Sequence, residues 1–352
     1  MNKKNIYIGW DIGGAHTKYT INSKALVKPD SIIIPLQLWK SLEPLKKLIN
    51  DIYDKYSHRY TIINGLTMSG EMCDLFNNRE EGVKKILSLF NRGSSKNYIY
   101  TSKHGIVPMN KYKNYKYIAS MNWHIIASYV KNIYKNVIAI DLGSTTTDII
   151  LIKNYKCINQ RIDDHTGLKS SELIYTGVLR TPIFSVVKSI SYNRQIYNLI
   201  PENYATMADI YRVLGVIGSQ EDYSTTADGR SKSQLNSFMR VSRLLGLDYT
   251  SKYKKLILGL SRKIMSEHYD QIRYNIHSHI TKLFSNEKDL KFIGMGVGRN
   301  IIKRICQKNR WDYVDLASLI SGPYNKSQDD LSMASPSFLL SLLLKEKYEY
   351  KK

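Results

Sequence analysis

Cysteine, proline and long apolar runs are all scarce in this chain of 352 residues. The cysteines Cys73, Cys157 and Cys306 are far apart and odd in number, so they predict neither a disulfide framework nor a CxxC-type metal site. No stretch approaches the roughly 18 uncharged apolar residues that a membrane helix needs. The first residues follow a strand pattern at once and leave no room for a signal peptide. We therefore expect a reduced, cytoplasmic protein that has no membrane partner.

Acidic residues are also few, since 52 Lys and Arg against 30 Asp and Glu give a net charge of +22. A charge of this size can indicate a nucleic-acid partner. Here the lysines are spread over the whole chain, and Lys, Asn, Ile and Tyr are abundant together, as AT-rich coding DNA produces. We therefore expect no nucleic-acid partner. A diffuse positive field still favours the approach of anionic small molecules.

Two stretches of the sequence repeat one pattern, "IGWDIGGAHTKYTI" from residue 8 and "VIAIDLGSTTTDIILI" from residue 137. Each predicts a strand that ends at a carboxylate, turns on glycine and returns as a second strand. Three positions of the first stretch recur at a constant offset in the second (141 − 11 = 130), namely Asp11, Gly13 and Thr17 as Asp141, Gly143 and Thr147. The length allows about two domains. The repeat predicts related halves at 1–134 and 135–352, with an inserted region at about 155–250 in the second.

A glycine hairpin of this kind exposes backbone N–H groups to a phosphate, because no Cβ blocks the approach. Threonine hydroxyls on the returning strand add donors. A single such hairpin is more often an ordinary turn, but the matched pair favours binding of a di- or triphosphate from two sides. The predicted phosphate-binding residues are Gly13, Gly14, Thr17, Lys18, Gly143, Ser144, Thr145, Thr146, Thr147, Arg180 and Arg230.

Carboxylates at the strand ends predict a Mg²⁺ site, since Mg²⁺ prefers oxygen ligands and keeps some of its waters. The candidates are Asp11, Asp141 and Asp148. The alternative for the first two is hydrogen bonding to the hairpin backbone, and for Asp148 a place on the wet face of a strand. Lys18 is alternatively a solvated charge on an edge strand. The histidines show no zinc-ligand spacing, and we expect no zinc.

A third glycine cluster, "FIGMGVGR", carries Gly294, Gly296 and Gly298 between a predicted strand and a predicted helix. It lacks the full GxGxxG spacing of a dinucleotide site. Beside the two hairpins it predicts a third wall for a nucleotide or a similar ligand.

The order of these three elements resembles the actin, sugar kinase and Hsp70-like superfold. The resemblance implies an α/β protein of two ribonuclease H-like halves with a cleft between them. A second set of stretches carries a resemblance that is more specific than the superfold. These stretches are "GWDIGGAHTK", "TMSGEMCDLFNNREEGVKKIL", "SMNWH", "IDLGSTTTDIILI", "ELIYTGVLRTP", "YATMADIYRVLG", "TADGR" and "GMGVGR". They resemble one branch of the hydantoinase/oxoprolinase-like proteins, the tetrahydromethanopterin-linked C1 transfer pathway proteins.

That branch includes an enzyme of methanofuran biosynthesis. The resemblance implies a transferase that joins an aminomethyl-furanmethanol diphosphate to the phenol oxygen of a (glutamyl-)tyramine or tyrosine acceptor, with release of diphosphate. The product belongs to the methanofuran or methylofuran type. Mg²⁺ and the phosphate loops would stabilise the departing diphosphate. The sequence leaves open which acceptor is used, whether ATP is bound, and the oligomeric state.

Glu71 follows the predicted strand "LTMSG", and the ends of parallel strands are where open α/β sheets place their sites. It is either the general base for the phenol or a helix-start carboxylate. Asn122 and Trp123 either contact the furan or aryl ring or belong to the core. Arg180 and Arg230 offer forked donors to the diphosphate.

Two other function classes compete with the transferase. An ATP-dependent kinase or a hydantoinase-type hydrolase shares the superfold and predicts formation of ADP, although a fold does not fix a function. A non-catalytic nucleotide-binding subunit predicts binding without turnover.

Overall fold

The computed structural model describes residues 3–23, 29–91, 95–112, 114–218, 222–320 and 328–349, except for the side chains of 328–330. The strands are β1 Lys4–Ile12, β2 His16–Asn22, β3 Asp30–Pro35, β4 Tyr60–Met68, β5 Lys96–Thr101, β6 Gly105–Pro108, β7 Asn136–Leu142, β8 Thr147–Lys153, β9 Lys156–Cys157, β10 Leu173–Ile174, β11 Ser189–Tyr192, β12 Gln195–Asn198, β13 Leu290–Met295 and β14 Asp312–Asp315.

The helices are α1 Glu43–Tyr56, α2 Arg79–Ser88, α3 Asn122–Val130, α4 Asp164–Ser170, α5 Ile183–Val186, α6 Met207–Val213, α7 Gln234–Arg243, α8 Lys254–His279, α9 Arg299–Asn309, α10 Leu316–Ile320, α11 Gln328–Met333 and α12 Ser335–Glu349. A π-helical turn, Ile280–Phe284, follows α8. No helix within the described ranges combines the length and the apolar composition that a membrane crossing requires.

Two large sheets carry the same strand order. The first sheet runs β3-β2-β1-β4-β5-β6, and the second runs β10-β8-β7-β13-β14 with the short β9 on β8. Leaving β9 aside, both place the third, second, first, fourth and fifth strands side by side. In the first sheet β1 pairs antiparallel with β2 and parallel with β4. The chain is therefore an α/β protein, and the repeat read from the sequence is also a repeat of topology.

The centre of the first sheet is buried, since the last seven residues of β1 and of β4 are all buried and most of them are apolar. Glycines let α12 lie directly on this sheet. A Cβ on Gly9 would overlap the Ser337 carbonyl, and one on Gly65 would lie 2.6 Å from Leu344 Cδ1. A hydrogen bond of 3.0 Å between the Thr20 and Ser337 hydroxyls joins β2 to the same helix.

The first helix begins later than the sequence predicts. The apolar spacing of "LQLWKSLEPLKKLINDIYDKY" predicts a helix from about Leu36 to Tyr56, and its start is wrong, since α1 begins at Glu43 with Pro44 in its first turn. Proline suits that position because its missing N–H would have no partner there in any helix. The N–H groups of Leu36 and Leu38 instead donate to the carbonyls of Ala15 and Gly14 at 3.0 Å.

The sequence also predicts helices from about Tyr253 to Phe284, at "YKYIASMNWHIIASYVKNIY" and from Pro336 to Glu346, and the structure has them with different ends or with an interruption. The long helix expected from Tyr253 to Phe284 consists of α8 and its π-helical turn. The helix expected at "YKYIASMNWHIIASYVKNIY" is interrupted, because Ser120 has φ +52° just before α3 begins. The closing helix extends from Ser335 to Glu349.

The chain divides into two compact units. The first unit comprises 1–139, 150–170 and 314–352, and the second comprises 140–149 and 171–313. The boundary at 134/135, which was read from the repeat, stays a prediction.

Candidate functional site

The first hairpin, in the first unit, joins β1 to β2 through a tight turn. The Gly13 N–H donates to the His16 carbonyl at 3.0 Å, which closes the turn, and Ile12 pairs with Thr17 across it. Within the described residues the N–H groups of Gly14 and Ala15 donate to no acceptor. Adjacent unused N–H groups in a turn are the donor arrangement that binds phosphate oxygens.

The segment after β4 lies directly against this turn. The N–H groups of Ser69 and Gly70 both donate to the Ile12 carbonyl at 3.0 Å. A Cβ on Gly70 would lie 2.9 Å from the Gly13 carbonyl carbon and 3.0 Å from the Gly14 nitrogen. Only glycine at position 70 therefore allows this approach. The contact with Ser69 and Gly70 fixes the position of the turn.

Asp11 and Lys18 face each other across β1 and β2 and form an ion pair of 3.7 Å. The carboxylate is buried, and the Lys18 side chain is 23% exposed. The alternative of a solvated lysine on an edge strand is wrong, because β2 lies between β1 and β3. A lysine held beside a buried carboxylate keeps its charge close to the hairpin. Thr17, the register partner of Ile12, is fully buried.

Glu71 is completely buried one residue beyond Gly70. The Ser120 hydroxyl donates to its Oε1 at 2.7 Å, while Oε2 has no hydrogen-bond partner within the described residues. Burial raises the pKa of the Glu71 carboxyl, and the Ser120 hydrogen bond opposes that effect in part. The helix-start alternative is wrong, because α2 begins at Arg79 and the Asn78 side chain caps it.

A cluster of charged and aromatic side chains lies near Glu71 in the first unit. Most of its members are not marked by any local pattern in the sequence. Asp164 pairs with Arg161 at 3.1 Å and with Arg79 at 3.6 Å. The Arg161 guanidinium lies 5.5 Å from the centre of the Trp123 ring. The Trp123 Nε1–H is buried without an acceptor in the described part of the chain. Asp164 and Arg79 act electrostatically on Glu71 in opposite directions.

The second hairpin, in the second unit, reproduces the backbone of the first. The Gly143 N–H donates to the Thr146 carbonyl at 2.9 Å. The N–H groups of Ser144 and Thr145 donate to no acceptor among the described residues. Thr147 is buried, and its hydroxyl donates to the Thr176 carbonyl at 2.7 Å rather than pointing into the turn.

The segment after β10 supports the second hairpin from behind. The Val178 N–H donates to the Gly143 carbonyl at 3.0 Å, and the Arg180 N–H donates to the Ser144 carbonyl at 2.9 Å. A Cβ on Gly177 would lie 2.6 Å from the Thr145 nitrogen. The exposed Arg180 side chain also donates to the Thr145 hydroxyl at 3.4 Å. Arg180 is therefore held at the hairpin, and its contact with phosphate stays a prediction.

The third glycine cluster meets the second hairpin at the end of β7. A Cβ on Gly296, whose φ is +79°, would overlap the Asp141 carboxylate and lie 2.6 Å from the Leu142 carbonyl oxygen. The Gly298 N–H donates to that carbonyl at 2.8 Å. Gly294 lies against the Tyr313 ring, where a Cβ would come within 2.6 Å. The cluster therefore borders Asp141 itself.

Two predicted residues are placed apart from the hairpin turns. Asp148 lies on β8 opposite Leu173, one position beyond the buried Thr147 and thus on the other face of the strand. Arg230 is exposed, and its N–H donates to Asp228 at 3.1 Å, so Asp228 is a turn residue. Among the described residues, the hydrogen bonds and the ion pair of Arg230 stay within its own loop, with Thr226 and Asp228.

The loop that carries Arg230 is anchored by a buried ion-pair network that the sequence did not reveal. Arg240 is fully buried and donates to Asp209 at 2.8 Å and to Asp228 at 2.9 Å. Arg212 pairs with Asp209 at 2.7 Å and also with Asp222. Because each buried charge has a partner, the network fixes the ends of this polar loop on α6 and α7.

Each strand-end carboxylate suits a largely hydrated Mg²⁺ better than a closed metal site. Within the described ranges no group of three or more His, Cys, Asp or Glu side chains could hold a metal ion. Mg²⁺ is commonly bound by one or two carboxylates, several waters and substrate phosphates. Asp11 and Asp141 each end a strand beside a turn with unused N–H groups. This donor set fits Mg²⁺ that arrives together with a phosphate ligand.

A family model described as hydantoinase/oxoprolinase matches residues 63–308. The chain belongs to the hydantoinase/oxoprolinase family. The match begins within β4, ends within α9 and includes Glu71, the second hairpin and the third glycine cluster. The family resemblance stated from the sequence motifs is thereby confirmed.

Two relatives share one name, (4-{4-[2-(gamma-L-glutamylamino)ethyl]phenoxymethyl}furan-2-yl)methanamine synthase. The protein from Methanocaldococcus jannaschii is 29% identical over 352 residues, which covers 98% of this chain and 99% of the relative. The protein from Methanococcus vannielii is 34% identical over 227 residues, which covers 63% of this chain and 96% of the relative. Similarity to the first therefore spans both hairpins.

Among solved structures, nucleotide-free acetone carboxylase is similar at a TM-score of 0.52 and 10% identity, covering 96% of this chain and 70% of that one. At this identity the likeness concerns the fold alone. It confirms the actin, sugar kinase and Hsp70-type superfold expected from the order of the motifs.

Proposed function

We propose that this protein is a transferase that joins a furan-methyl diphosphate to the phenol oxygen of an acceptor and releases diphosphate. The name of the two relatives describes a phenoxymethyl-furan, which is an ether between a phenol and a furan-bearing CH₂. Such an ether forms when the phenol displaces a leaving group from that carbon. The product would serve assembly of a methanofuran or methylofuran cofactor, with a glutamyl-tyramine or tyrosine acceptor.

One observation carries this proposal: a turn with unused N–H groups and a buried carboxylate are neighbours in the first unit. Gly14 and Ala15 offer unused N–H groups, Gly70 supports the turn, and Glu71 is the next residue. Displacement of diphosphate by a phenol needs an anion receptor for the leaving group and an acceptor for the phenol proton. Both requirements are met within a few residues.

The proposed step conserves atoms and charge. The phenol oxygen forms a bond to the furan-bearing CH₂, and the bond from that carbon to the diphosphate oxygen breaks, with its electron pair leaving on the diphosphate. The phenol proton goes to Glu71 Oε2. Burial raises the pKa of this carboxyl, which makes it a stronger base than a solvated glutamate. Ser120 holds the other oxygen and thereby orients the group.

Each hairpin offers candidate phosphate contacts of its own. The donors are the N–H groups of Gly14, Ala15, Ser144 and Thr145, with the charges of Lys18 and Arg180 beside them. Mg²⁺ held through Asp11 at the first hairpin or through Asp141 at the second would neutralise part of the diphosphate charge, and Asp148 would act through water at most. Donors placed where negative charge develops stabilise the transition state. Arg230 and the third glycine cluster would border the ligand.

Phosphorus NMR tests this function directly. One sample contains the protein, Mg²⁺, 5-(aminomethyl)furan-3-methanol diphosphate and γ-glutamyltyramine or tyrosine, and a second contains ATP with the same acceptors. We expect free diphosphate only in the first sample and only when acceptor is present. ADP in the second sample with an unreactive first sample would instead establish an ATP-dependent enzyme. Binding without turnover in both samples would establish a non-catalytic subunit.

A further inference from the structure

A buried histidine is connected to the second hairpin through a single threonine. His268 lies in the middle of α8 and is fully buried. Its Nε2 is 2.9 Å from the Thr176 hydroxyl, and its Nδ1 is 2.6 Å from the Tyr211 hydroxyl. The imidazole therefore bridges two hydroxyl groups that come from different elements of the second unit.

Thr176 is the point at which this bridge meets the hairpin. Its carbonyl accepts the Thr147 hydroxyl at 2.7 Å, which fixes the first residue of β8. The next residue, Gly177, lies so close to the turn that a Cβ would be 2.6 Å from the Thr145 nitrogen. Its own N–H donates to the Thr181 hydroxyl at 2.7 Å. A displacement of Thr176 would therefore move both ends of the turn.

We propose that His268 is a positioning residue for phosphate binding at the second hairpin. It acts through Thr176 and holds the Ser144 and Thr145 N–H groups where a phosphate oxygen binds. Its own contacts are with hydroxyl groups, so it touches no ligand. This inference rests on the proposed function only for the identity of the ligand as a diphosphate.

The bridge requires a group that bonds at two points, and neutral imidazole provides this. Burial lowers the pKa of His268 to about 4, so the ring is neutral at ordinary pH. Burial also raises the pKa of Tyr211 well above its usual value, so the phenol keeps its proton. A neutral ring has one N–H and one bare nitrogen. It can donate to one hydroxyl and accept from the other without placing a charge in the core.

Four variants separate positioning from core packing. H268Q keeps a polar atom near the Nε2 position and hence the bond to Thr176, whereas H268N keeps one only near Nδ1 and hence the bond to Tyr211. T176V removes the hydroxyl that His268 holds, and T176S keeps it. H279Q is the matched control. His279 is also a buried histidine of α8, but it bonds to the Ser171 carbonyl at 3.0 Å instead of to the hairpin support.

The readout is calorimetric binding of inorganic diphosphate with Mg²⁺ to the full chain, alongside thermal unfolding of each variant. We expect about tenfold weaker binding for H268N and T176V, the effect of losing one buried hydrogen bond. H268Q, T176S and H279Q should bind within about twofold of the unaltered protein.

Equal weakening in H268Q and H268N would overturn the proposal, because volume rather than the bond to Thr176 would then matter. Unchanged binding in a folded T176V variant would overturn it as well. Diphosphate binding is measured without furan or acceptor, so these outcomes are independent of the transferase assay. A failed transferase assay with the expected binding pattern would refute only the proposed reaction.

Discussion

The fourth strand of each large sheet ends beside a hairpin, and the two ends differ in what they place there. β4 ends at Met68 and β13 ends at Met295. After β4, Ser69 and Gly70 donate to the Ile12 carbonyl, and after β13, Gly298 donates to the carbonyl of Leu142. Ile12 and Leu142 are themselves related by the repeat, since 142 − 12 = 130. The backbone arrangement is thus repeated in the two sheets.

The side chains at these ends are not repeated. The chain after β4 reaches the buried Glu71, whereas the chain after β13 passes through Gly296 and Gly298 and brings bare backbone to Asp141. A buried carboxyl can exchange a proton, whereas a glycine can only provide room and N–H groups. We infer a division of roles in which the first end serves the chemical step and the second serves the anion.

Removing the carboxylate from the first end should have the largest effect. Replacement of Glu71 by Gln keeps the shape and the Ser120 contact but removes the proton acceptor. Transferase kcat should fall by roughly 100-fold or more, the usual contribution of a general base. Initial-rate assays of diphosphate release measure this, and calorimetry should show unchanged diphosphate binding.

E172Q is the matched control for that substitution, because Glu172 is also a buried glutamate but lies in the second unit. Its kcat should stay close to the unaltered value. If E71Q retained full kcat, Glu71 would have no part in the chemical step, and the proposed division of roles would be wrong.

Replacing Gly70 after β4 and Gly296 after β13 by alanine tests how far each hairpin depends on the close approach of its supporting backbone. In G296A the new Cβ would overlap Asp141, lie 2.6 Å from the Leu142 oxygen and adopt φ +79°. In G70A it would lie 2.9 Å from Gly13. Overpacking costs about 1–3 kcal/mol, so we expect up to ~100-fold weaker diphosphate binding for G296A and a smaller loss for G70A.

G229A is the control for strain alone, since Gly229 has φ +71° and no atom of the described residues lies within 4 Å of the position of a Cβ. Comparison of the three melting temperatures separates backbone strain from overlap. A G229A variant as impaired in binding as G296A would show that the close approach at Asp141 is unimportant.

The sequence predicts the parts of this comparison that are local. The hairpins were found because Asp, Gly and Thr recur at fixed offsets within a few residues, and Glu71 was found because it follows a buried strand. The connection of Thr176 to His268 spans 92 residues, and that of His268 to Tyr211 spans 57. No periodicity relates such positions, because only tertiary folding brings them together.

Some features that the sequence-based prediction placed wrongly were weakly indicated by nearby residues. Pro44 marked the true start of α1, since a proline fits the first helical turn and disfavours helix before it. The break at Ser120 was not indicated by the local sequence, because serine rarely adopts φ +52° unless tertiary contacts impose it. The equivalence between Ser69–Glu71 and the third glycine cluster also escaped the sequence, as it depends on strand order rather than on residue type.

The smallest predicted effect is a difference in the pH dependence of stability. Burial raises the pKa of Glu71, so its stabilising contribution is full at low pH and is lost as pH rises through the raised value. Burial lowers the pKa of His268 to about 4 from 6.5, so its contribution is present above pH 6.5 and is lost as pH falls towards 4. As pH rises, Glu71 therefore lowers the free energy of unfolding, whereas His268 raises it.

Urea unfolding of the unaltered protein, E71Q and H268Q between pH 4.5 and 6.5 measures how each group changes the free energy of unfolding with pH. Relative to the unaltered protein, E71Q should become more stable as pH rises, whereas H268Q should become less stable. Each difference is limited to about 1.4 kcal/mol per pH unit, because one proton is involved. H279Q is the control for the loss of a buried histidine from α8. If E71Q and H268Q shifted the curve in the same direction, one of the two buried groups would carry the opposite charge state, and its assigned role would fail with it.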